Sequence, residues 1–174
     1  RVALNTLKTT LGFFRTLVGK YTPIEFRSDS VQDIFNYLRI NEYISTSGQP
    51  TEKQFSLVKA AGFEHVINLA PHNVENSLAN EAEVLSALGI NYLHIPVDFG
   101  NPTDADFNEF SSFLKRLENK KVWVHCAANM RVSAFVYRYR CKVLGEQSSS
   151  ARKDLSEIWE PFGVWKDFTT IQQG

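Results

Sequence analysis

The sequence has little cysteine, and this excludes two classes of protein. Two cysteines in 174 residues cannot build a disulfide-dense scaffold. Cys126 and Cys141 show neither the CxxC spacing nor the histidine-rich surroundings of a zinc site. We therefore expect no metal and no cofactor, and we take any chemistry to come from the side chains themselves.

The chain also lacks a net charge and a long apolar run. Nineteen Lys and Arg residues balance 19 Asp and Glu residues, so the positive charge expected of a nucleic-acid-binding protein is absent. No apolar run approaches the roughly 18 residues that a membrane-spanning helix needs. We expect no nucleic-acid partner and, by default, a cytoplasmic protein. Arg1 in place of Met leaves an upstream leader open, and the oligomeric state is not fixed by these patterns.

Residues 1–24 predict an N-terminal amphipathic helical extension, because they carry basic residues without any acid and apolar residues at helical spacing. Such a helix can lie on a membrane surface. Packing on the domain or on a partner is the more common outcome, so membrane binding is not expected. The apolar residues are Leu4, Leu7, Leu11, Phe14 and Val18, and the basic ones are Arg1, Lys8, Arg15 and Lys20.

Residues 25–174 predict one α/β domain, since short apolar runs alternate with helical stretches. This alternation is typical of a mostly parallel central sheet flanked by helices. The predicted strands are 43–46, 65–69, 91–96 and 121–125, and Pro96 favours a strand end or a sheet edge for the third. Two predicted helices follow capping boxes at Thr51 and Thr103. Two more cover 78–88 and 131–143, and a last helix lies near 151–159. Four aromatic residues are expected to pack on the core, namely Trp159, Phe162, Trp165 and Phe168.

The loop after the last predicted strand brings several reactive groups to one point. Backbone N–H groups and the dipole at the start of the next helix suit an anion and favour the thiolate form of Cys126. Arg131 offers a planar fork of donors that fits a tetrahedral oxyanion. Small residues leave room for the anion, and Asn129 suits a left-handed backbone. The predicted phosphate-binding segment is Ala127, Ala128, Asn129, Met130 and Arg131.

A structural interpretation of the same residues is also available. Cys126 alone would pass for a small buried hydrophobic residue, and Arg131 for a surface residue. The first turn of a helix normally prefers acids, so a basic residue there favours the anion-binding interpretation.

His125 and Cys126, followed closely by Arg131 and Ser133, resemble the signature of the cysteine-dependent tyrosine and dual-specificity phosphatases. Over residues 43–140 the chain is similar to a bacterial family of tyrosine-phosphatase-like proteins, which is related to the phosphatase-like part of beta-lactamase-hydrolase-like proteins. The segments that carry this similarity are Ser47-Gly48-Gln49-Pro50, Val66-Ile67-Asn68-Leu69, Gly89-Ile90-Asn91-Tyr92 and His94-Ile95-Pro96-Val97-Asp98.

The resemblance implies a metal-independent phosphatase that acts on a phosphorylated protein or a small phosphate ester. Cys126 would attack phosphorus, and Asp98 matches the position of the acid that protonates the leaving oxygen. His125 would orient the loop through a hydrogen bond to backbone, and Ser133 would donate to the thiolate of Cys126. Gln49 is a weaker candidate for positioning water or substrate.

One departure from the family pattern keeps other functions open. Four residues separate Cys126 from Arg131, one fewer than in the phosphatase signature, so aligning on Ser133 places Val132 where the arginine belongs. Four is also the loop length of rhodanese-like sulfurtransferases, which would use a persulfide on Cys126. A non-catalytic phosphate-binding module is the third possibility. The His-Cys pair, the serine and the strand pattern favour the phosphatase.

The distribution of charge bears on the substrate. Between Lys59 and Lys115 there are acids but no Lys or Arg, so the loops around the predicted pocket are acidic. A highly phosphorylated ligand would be repelled there, whereas a monophosphate is accommodated more easily.

Overall fold

A five-stranded sheet organises the computed structural model, which describes residues 2–21 and 29–171. The strands lie in the order β1-β2-β5-β3-β4. Strands β2 to β5 are parallel to their neighbours, and β1 pairs antiparallel with β2. The predicted α/β class with a mostly parallel sheet is therefore confirmed. The strands are β1 (Leu38–Arg39), β2 (Ile44–Ser47), β3 (His65–Asn68), β4 (Asn91–His94) and β5 (Val122–His125).

Helices connect these strands, as crossover connections between parallel strands require. Both predicted capping boxes are formed: the hydroxyl groups of Thr51 and Thr103 accept from the N–H groups of Gln54 and Asp106, whose side chains bond back. In the described part of the chain the α-helices are α1 (Val2–Tyr21), α2 (Glu52–Ala60), α3 (Glu81–Ala87), α4 (Asp104–Arg116), α5 (Met130–Lys142), α6 (Ser148–Ile158) and α7 (Val164–Phe168).

The sheet is buried on both faces, and alternate residues of its central strands enter different cores. Val66 and Trp123 pack with residues of α2 and α3. Ile67 and Val124 pack with residues of α4 to α7. Because side chains of a strand alternate between faces, burial on both sides requires the continuous apolar runs seen in the sequence.

The structure corrects the prediction in several places. The two-residue strand β1 was not predicted, since so short a segment has no detectable alternation. Ser148 and the two serines after it, interpreted as a break, form the first turn of α6, and the helix predicted from residue 78 begins at Glu81. Strand β4 lies at the sheet edge, as Pro96 indicated.

The aromatic tail packs on the core with one exception. Trp159, Trp165 and Phe168 are buried within the core formed with α4 and α5, as predicted. Phe162 is 57% exposed, so its predicted burial is wrong. It lies in the loop between α6 and α7, and its ring contacts the Trp159 ring edge-to-face at 5.6 Å between centroids.

Helix α1 contacts the domain through its polar face. Asn5 Nδ2 donates to the Ser156 carbonyl at 2.9 Å, and the Glu160 N–H donates to Thr6 Oγ1 at 2.9 Å. The hydroxyl of the buried Thr9 donates to the Ile158 carbonyl. The predicted apolar face is turned outward instead, with Leu4, Leu7, Leu11 and Phe14 each between 53 and 59% exposed.

Two expectations about the N-terminal region concern residues that the structure does not describe. The side chain of Val18 and the boundary expected after residue 24 lie outside them. No helix in the described part of the chain combines the length and hydrophobicity that crossing a membrane would require.

Candidate active site

Cys126 and Arg131 line the same cavity at the carboxyl end of the parallel strands. Cys126 directly follows β5, and Arg131 is in the first turn of α5. The cavity has a volume of about 270 Å³. Cys126 is 1% exposed, and Arg131 is 8% exposed. Its other walls come from α1, from two loops and from the segment between β5 and α5, namely Thr9, Thr10, Phe13, Val74, Phe99, Ala127, Ala128 and Met130.

Asn129 makes the short connection between β5 and α5 possible. Its backbone is left-handed, with φ of 65° and ψ of 2°, as predicted from the sequence. Its buried side-chain amide donates to the Asn36 carbonyl at 2.8 Å and to Thr46 Oγ1 at 2.9 Å. These bonds hold an otherwise unfavourable backbone conformation and fix the loop against β2.

The loop carbonyl groups are occupied by neighbouring segments. The Ala127 carbonyl accepts from the Gln49 N–H at 3.2 Å and from Asn76 Nδ2 at 2.9 Å. The Ala128 carbonyl accepts from Asn36 Nδ2 at 3.0 Å. In a trans peptide the carbonyl and the next N–H point in opposite directions, so these bonds turn the following N–H groups away from those partners. The first N–H groups of a helix have no partner within the helix, so the start of α5 beside this loop has the geometry that suits an anion.

Arg131 supplies the positive charge of the cavity. Its guanidinium lies over the Phe99 ring, 5.1 Å from the centroid. The Nε atom is buried and has no hydrogen-bond partner among the described residues. Arg131 is also the only charged residue among the described residues that line the cavity. A buried donor without a partner is costly, and an oxyanion next to Cys126 would satisfy it.

A buried contact between a histidine and a carboxylate lies directly behind the loop. His125 is fully buried, and its Nε2 lies 2.9 Å from Glu81 Oε1. The same carboxylate accepts from Gln49 Nε2 at 2.6 Å and from Asn68 Nδ2 at 3.0 Å. The sequence led us to expect a backbone partner for His125 and, more weakly, a role for Gln49 in positioning water or substrate. The structure places both in one internal network centred on Glu81.

This network changes the ionisation of its members. Burial by itself raises the pKa of Glu81, but the charge of His125 and hydrogen bonds from His125, Gln49 and Tyr92 outweigh it and lower the pKa to about 2. Burial, followed by the negative charge of Glu81, raises the pKa of Tyr92 above its usual value. Glu81 is therefore an anion at neutral pH although it is almost inaccessible to water.

Ser133 and Asp98 do not make the contacts expected of them. Ser133 Oγ donates to the Met130 carbonyl at 3.0 Å and accepts from Trp159 Nε1 at 3.1 Å, so its recorded bonds join the first turn of α5 to the residue after α6. Asp98 is exposed, and its Oδ1 accepts from the Gly100 N–H at 2.9 Å. It does not line the cavity, whereas the next residue, Phe99, does.

Several residues that shape the site could not be predicted from the sequence. Glu81 was not identified as a site residue because the helix dipole already explains an acid in the first turn of a helix. Asn36 and Asn76 lie in loops distant in sequence, and only the fold brings them to the Ala127 and Ala128 carbonyls. The contribution of Phe13 from α1 required knowledge of how that helix docks.

Comparison with known proteins links this chain to phosphatases. The family described as a DSP-PTPase phosphatase fused to NAD+ kinase matches residues 15–165. A beta-lactamase hydrolase-like protein of Agrobacterium fabrum is 32% identical over 134 residues, which are 75% of this chain and 29% of that protein. One from Xylella fastidiosa is 35% identical over 95 residues, covering 53% of this chain and 22% of that protein. The chain thus spans less than a third of the length of these relatives.

Two solved structures have a fold similar to that of this chain. A Shewanella putrefaciens protein provisionally described as a phosphatase is 31% identical, with a TM-score of 0.71, over 80% of this chain and 91% of that one. Pseudomonas aeruginosa TpbA, crystallised in complex with pTyr, has a TM-score of 0.59 over 85% of this chain and 95% of its own. At 14% identity, this second similarity concerns the fold alone.

The Glu81 network predicts an acid-sensitive contribution to stability. Because the pKa of Glu81 falls from 4.5 to about 2 on folding, the ionised carboxylate stabilises the fold above pH 4.5, and this contribution is lost as the pH falls toward 2. Glu81→Gln should lower the melting temperature at pH 7 and reduce the free energy of unfolding by up to about 3 kcal/mol. The difference in melting temperature between this variant and the unmodified protein should become smaller as the pH falls below 4.5.

Glu83→Gln is the matched control, since Glu83 is exposed on the same helix two residues away. It should leave the melting temperature nearly unchanged at every pH. If the difference in melting temperature between Glu81→Gln and the unmodified protein stays constant from pH 7 to pH 3, the lowered pKa of Glu81 is contradicted.

Proposed function

The chain belongs to the family of DSP-PTPase phosphatases that occur fused to NAD+ kinase, and on this basis we propose that it hydrolyses phosphate monoesters through a phosphocysteine on Cys126. The observation that carries the proposal is the shared cavity, in which the buried Cys126 and the unpartnered Nε of Arg131 lie beside the amides of one loop. No metal is needed for this reaction, because the loop and Arg131 supply the positive potential.

The proposed reaction has two steps. The thiolate of Cys126 attacks phosphorus, the bond from phosphorus to the leaving oxygen breaks, and an acid gives that oxygen its proton. Water then attacks the phosphocysteine, the S–P bond breaks, and the acid recovers a proton from the water. Arg131 and the loop N–H groups hold the equatorial oxygens throughout, where negative charge is concentrated.

The His125–Glu81 pair supports the loop from behind. His125 immediately precedes Cys126, and its ring is fixed by Glu81 in a fully buried position. Gln49 links this pair to the loop, because its N–H donates to the Ala127 carbonyl and its side chain donates to Glu81. The network therefore acts as a positioning layer that touches no substrate.

Asp98 is the acid that we assign to the reaction. It follows β4 at the end of the sheet where the cavity lies, and its neighbour Phe99 is a cavity wall. In this structure its carboxylate bonds to the Gly100 N–H in an exposed turn. The assignment requires the turn to bring Asp98 inward when substrate occupies the cavity.

The cavity walls favour an aryl phosphate monoester. Phe13, Phe99, Val74 and Met130 give the cavity an apolar lining around one guanidinium. A single phosphate group matches this charge, and an aromatic ring such as that of phosphotyrosine matches the walls. The complex of the structurally similar TpbA with pTyr is consistent with this substrate class.

A sulfurtransferase remains the second candidate because of one observation. Four residues lie between Cys126 and Arg131, the loop length of rhodanese-like enzymes. The same amides and guanidinium would also stabilise a persulfide anion. Incubation with thiosulfate and cyanide, followed by mass spectrometry for one added sulfur on Cys126, separates this activity from phosphate hydrolysis.

Replacement of the proposed nucleophile gives the first functional prediction. Cys126→Ser should reduce hydrolysis of p-nitrophenyl phosphate in the presence of chelator to background, because serine is not ionised at neutral pH. Phosphate should still bind, since Arg131 and the loop are unchanged. Cys141→Ser is the control and should retain activity. Turnover that survives Cys126→Ser would exclude the phosphocysteine, and binding without turnover by the unmodified protein would indicate a non-catalytic module.

Replacement of the proposed acid gives a second prediction. Asp98→Asn should slow hydrolysis of phosphotyrosine by about 10²-fold or more. It should slow esters with a very good leaving group much less, because these need no proton. Glu75→Gln is the comparison, since Glu75 adjoins the cavity residue Val74. If Glu75→Gln shows the leaving-group dependence and Asp98→Asn does not, the assignment of Asp98 is wrong.

A further inference from the structure

Helix α1 presents an apolar face that the domain does not cover. Leu4, Leu7, Leu11 and Phe14 lie on one side of the helix at spacings of three and four residues, and each is more than half exposed. The sequence favoured packing of this face on the domain or on a partner over membrane binding. In the described part of the chain, the domain does not cover the face.

The orientation of α1 is fixed by contacts on its opposite side. Asn5, Thr6 and Thr9 form hydrogen bonds with the backbone of α6 and the residues after it. At Gly12 the helix backbone lies so close to Phe35 that a Cβ there would be 2.3 Å from Cε2 of its ring. The helix therefore cannot turn its apolar face inward without losing these contacts.

The charges of this region identify the kind of surface that fits it. Residues 1–24 contain four basic residues and no acid. Lys8 and Arg15 are exposed and follow Leu7 and Phe14 directly, so they lie at the border of the apolar face. A second copy of the helix would bring like charges together, which disfavours self-association through this face. An anionic bilayer surface offers both negative headgroups and an apolar interior.

We propose that the outward face of α1 binds the surface of an anionic lipid membrane, with its apolar side chains in the headgroup region and its basic residues among the lipid phosphates. The opposite part of the same helix lines the active-site cavity with Thr9, Thr10 and Phe13. Binding would therefore hold the cavity close to the membrane. Most of α1 precedes residue 15, where the family match begins, so this surface is not part of what defines the family.

The test measures co-sedimentation of the full chain with vesicles of phosphatidylcholine, with and without phosphatidylglycerol. Binding should be at least tenfold stronger to the anionic vesicles and should weaken at high salt, since each basic residue contributes about a fivefold gain near such a surface. Leu7→Glu combined with Leu11→Glu should abolish binding. Lys8→Glu should weaken it about fivefold or more.

Three controls make the test specific. Leu144→Glu replaces an apolar residue outside α1 that is 48% exposed, close to the 53% of Leu7, and should leave vesicle binding unchanged. The Leu7→Glu, Leu11→Glu protein should keep its melting temperature and its turnover of a small soluble aryl phosphate, because both side chains are exposed and outside the cavity. Binding is measured without substrate, so its result does not depend on the proposed phosphatase activity.

Several results would overturn the proposal. These are the absence of vesicle binding, equal binding to neutral and anionic vesicles, and binding that survives Leu7→Glu and Leu11→Glu. Analytical ultracentrifugation provides a separate check. A dimer that dissociates in the double variant would assign the face to a second copy of the chain and would also overturn the proposal.

Discussion

The candidate site depends on the turn from β5 into α5, because this turn must reverse the backbone while keeping the Cys126 sulfur and the Arg131 guanidinium in one cavity. Asn129 achieves this in a left-handed conformation that its buried amide stabilises through Asn36 and Thr46. The carbonyl groups of Ala127 and Ala128 are bonded to other segments, which holds the segment that joins Cys126 to Arg131.

Beneath this turn, a buried anion is held without contact to the cavity. Glu81 is stabilised by His125, Gln49 and Tyr92 strongly enough to remain ionised well below neutral pH. Breaking a buried ion pair by removing one partner typically costs several kcal/mol. The same pair fixes the residue before Cys126, so the stability of the domain and the position of this proposed nucleophile depend on one contact.

The sequence was sufficient to predict features with a local or periodic cause. The capping boxes at Thr51 and Thr103, the buried strands and the left-handed Asn129 follow from local preferences. The pairing of His125 with Glu81 joins residues 44 positions apart, and no local pattern encodes it. Periodicity identified the apolar face of α1 but could not say what covers it, and the structure shows that the domain leaves it exposed. The resemblance supplied Ser133 and Asp98 as site residues, but their present partners depend on the loop conformation.

The central claim is that Cys126 and Arg131 together enclose an oxyanion. Its most direct test is a crystal structure of the protein soaked with inorganic phosphate. We expect the ion in the cavity, with its oxygens bonded to the Arg131 guanidinium and to the loop N–H groups, and with Cys126 Sγ facing the phosphorus. A cavity without phosphate at saturating concentration, or an Arg131 guanidinium turned away from Cys126, would contradict the account.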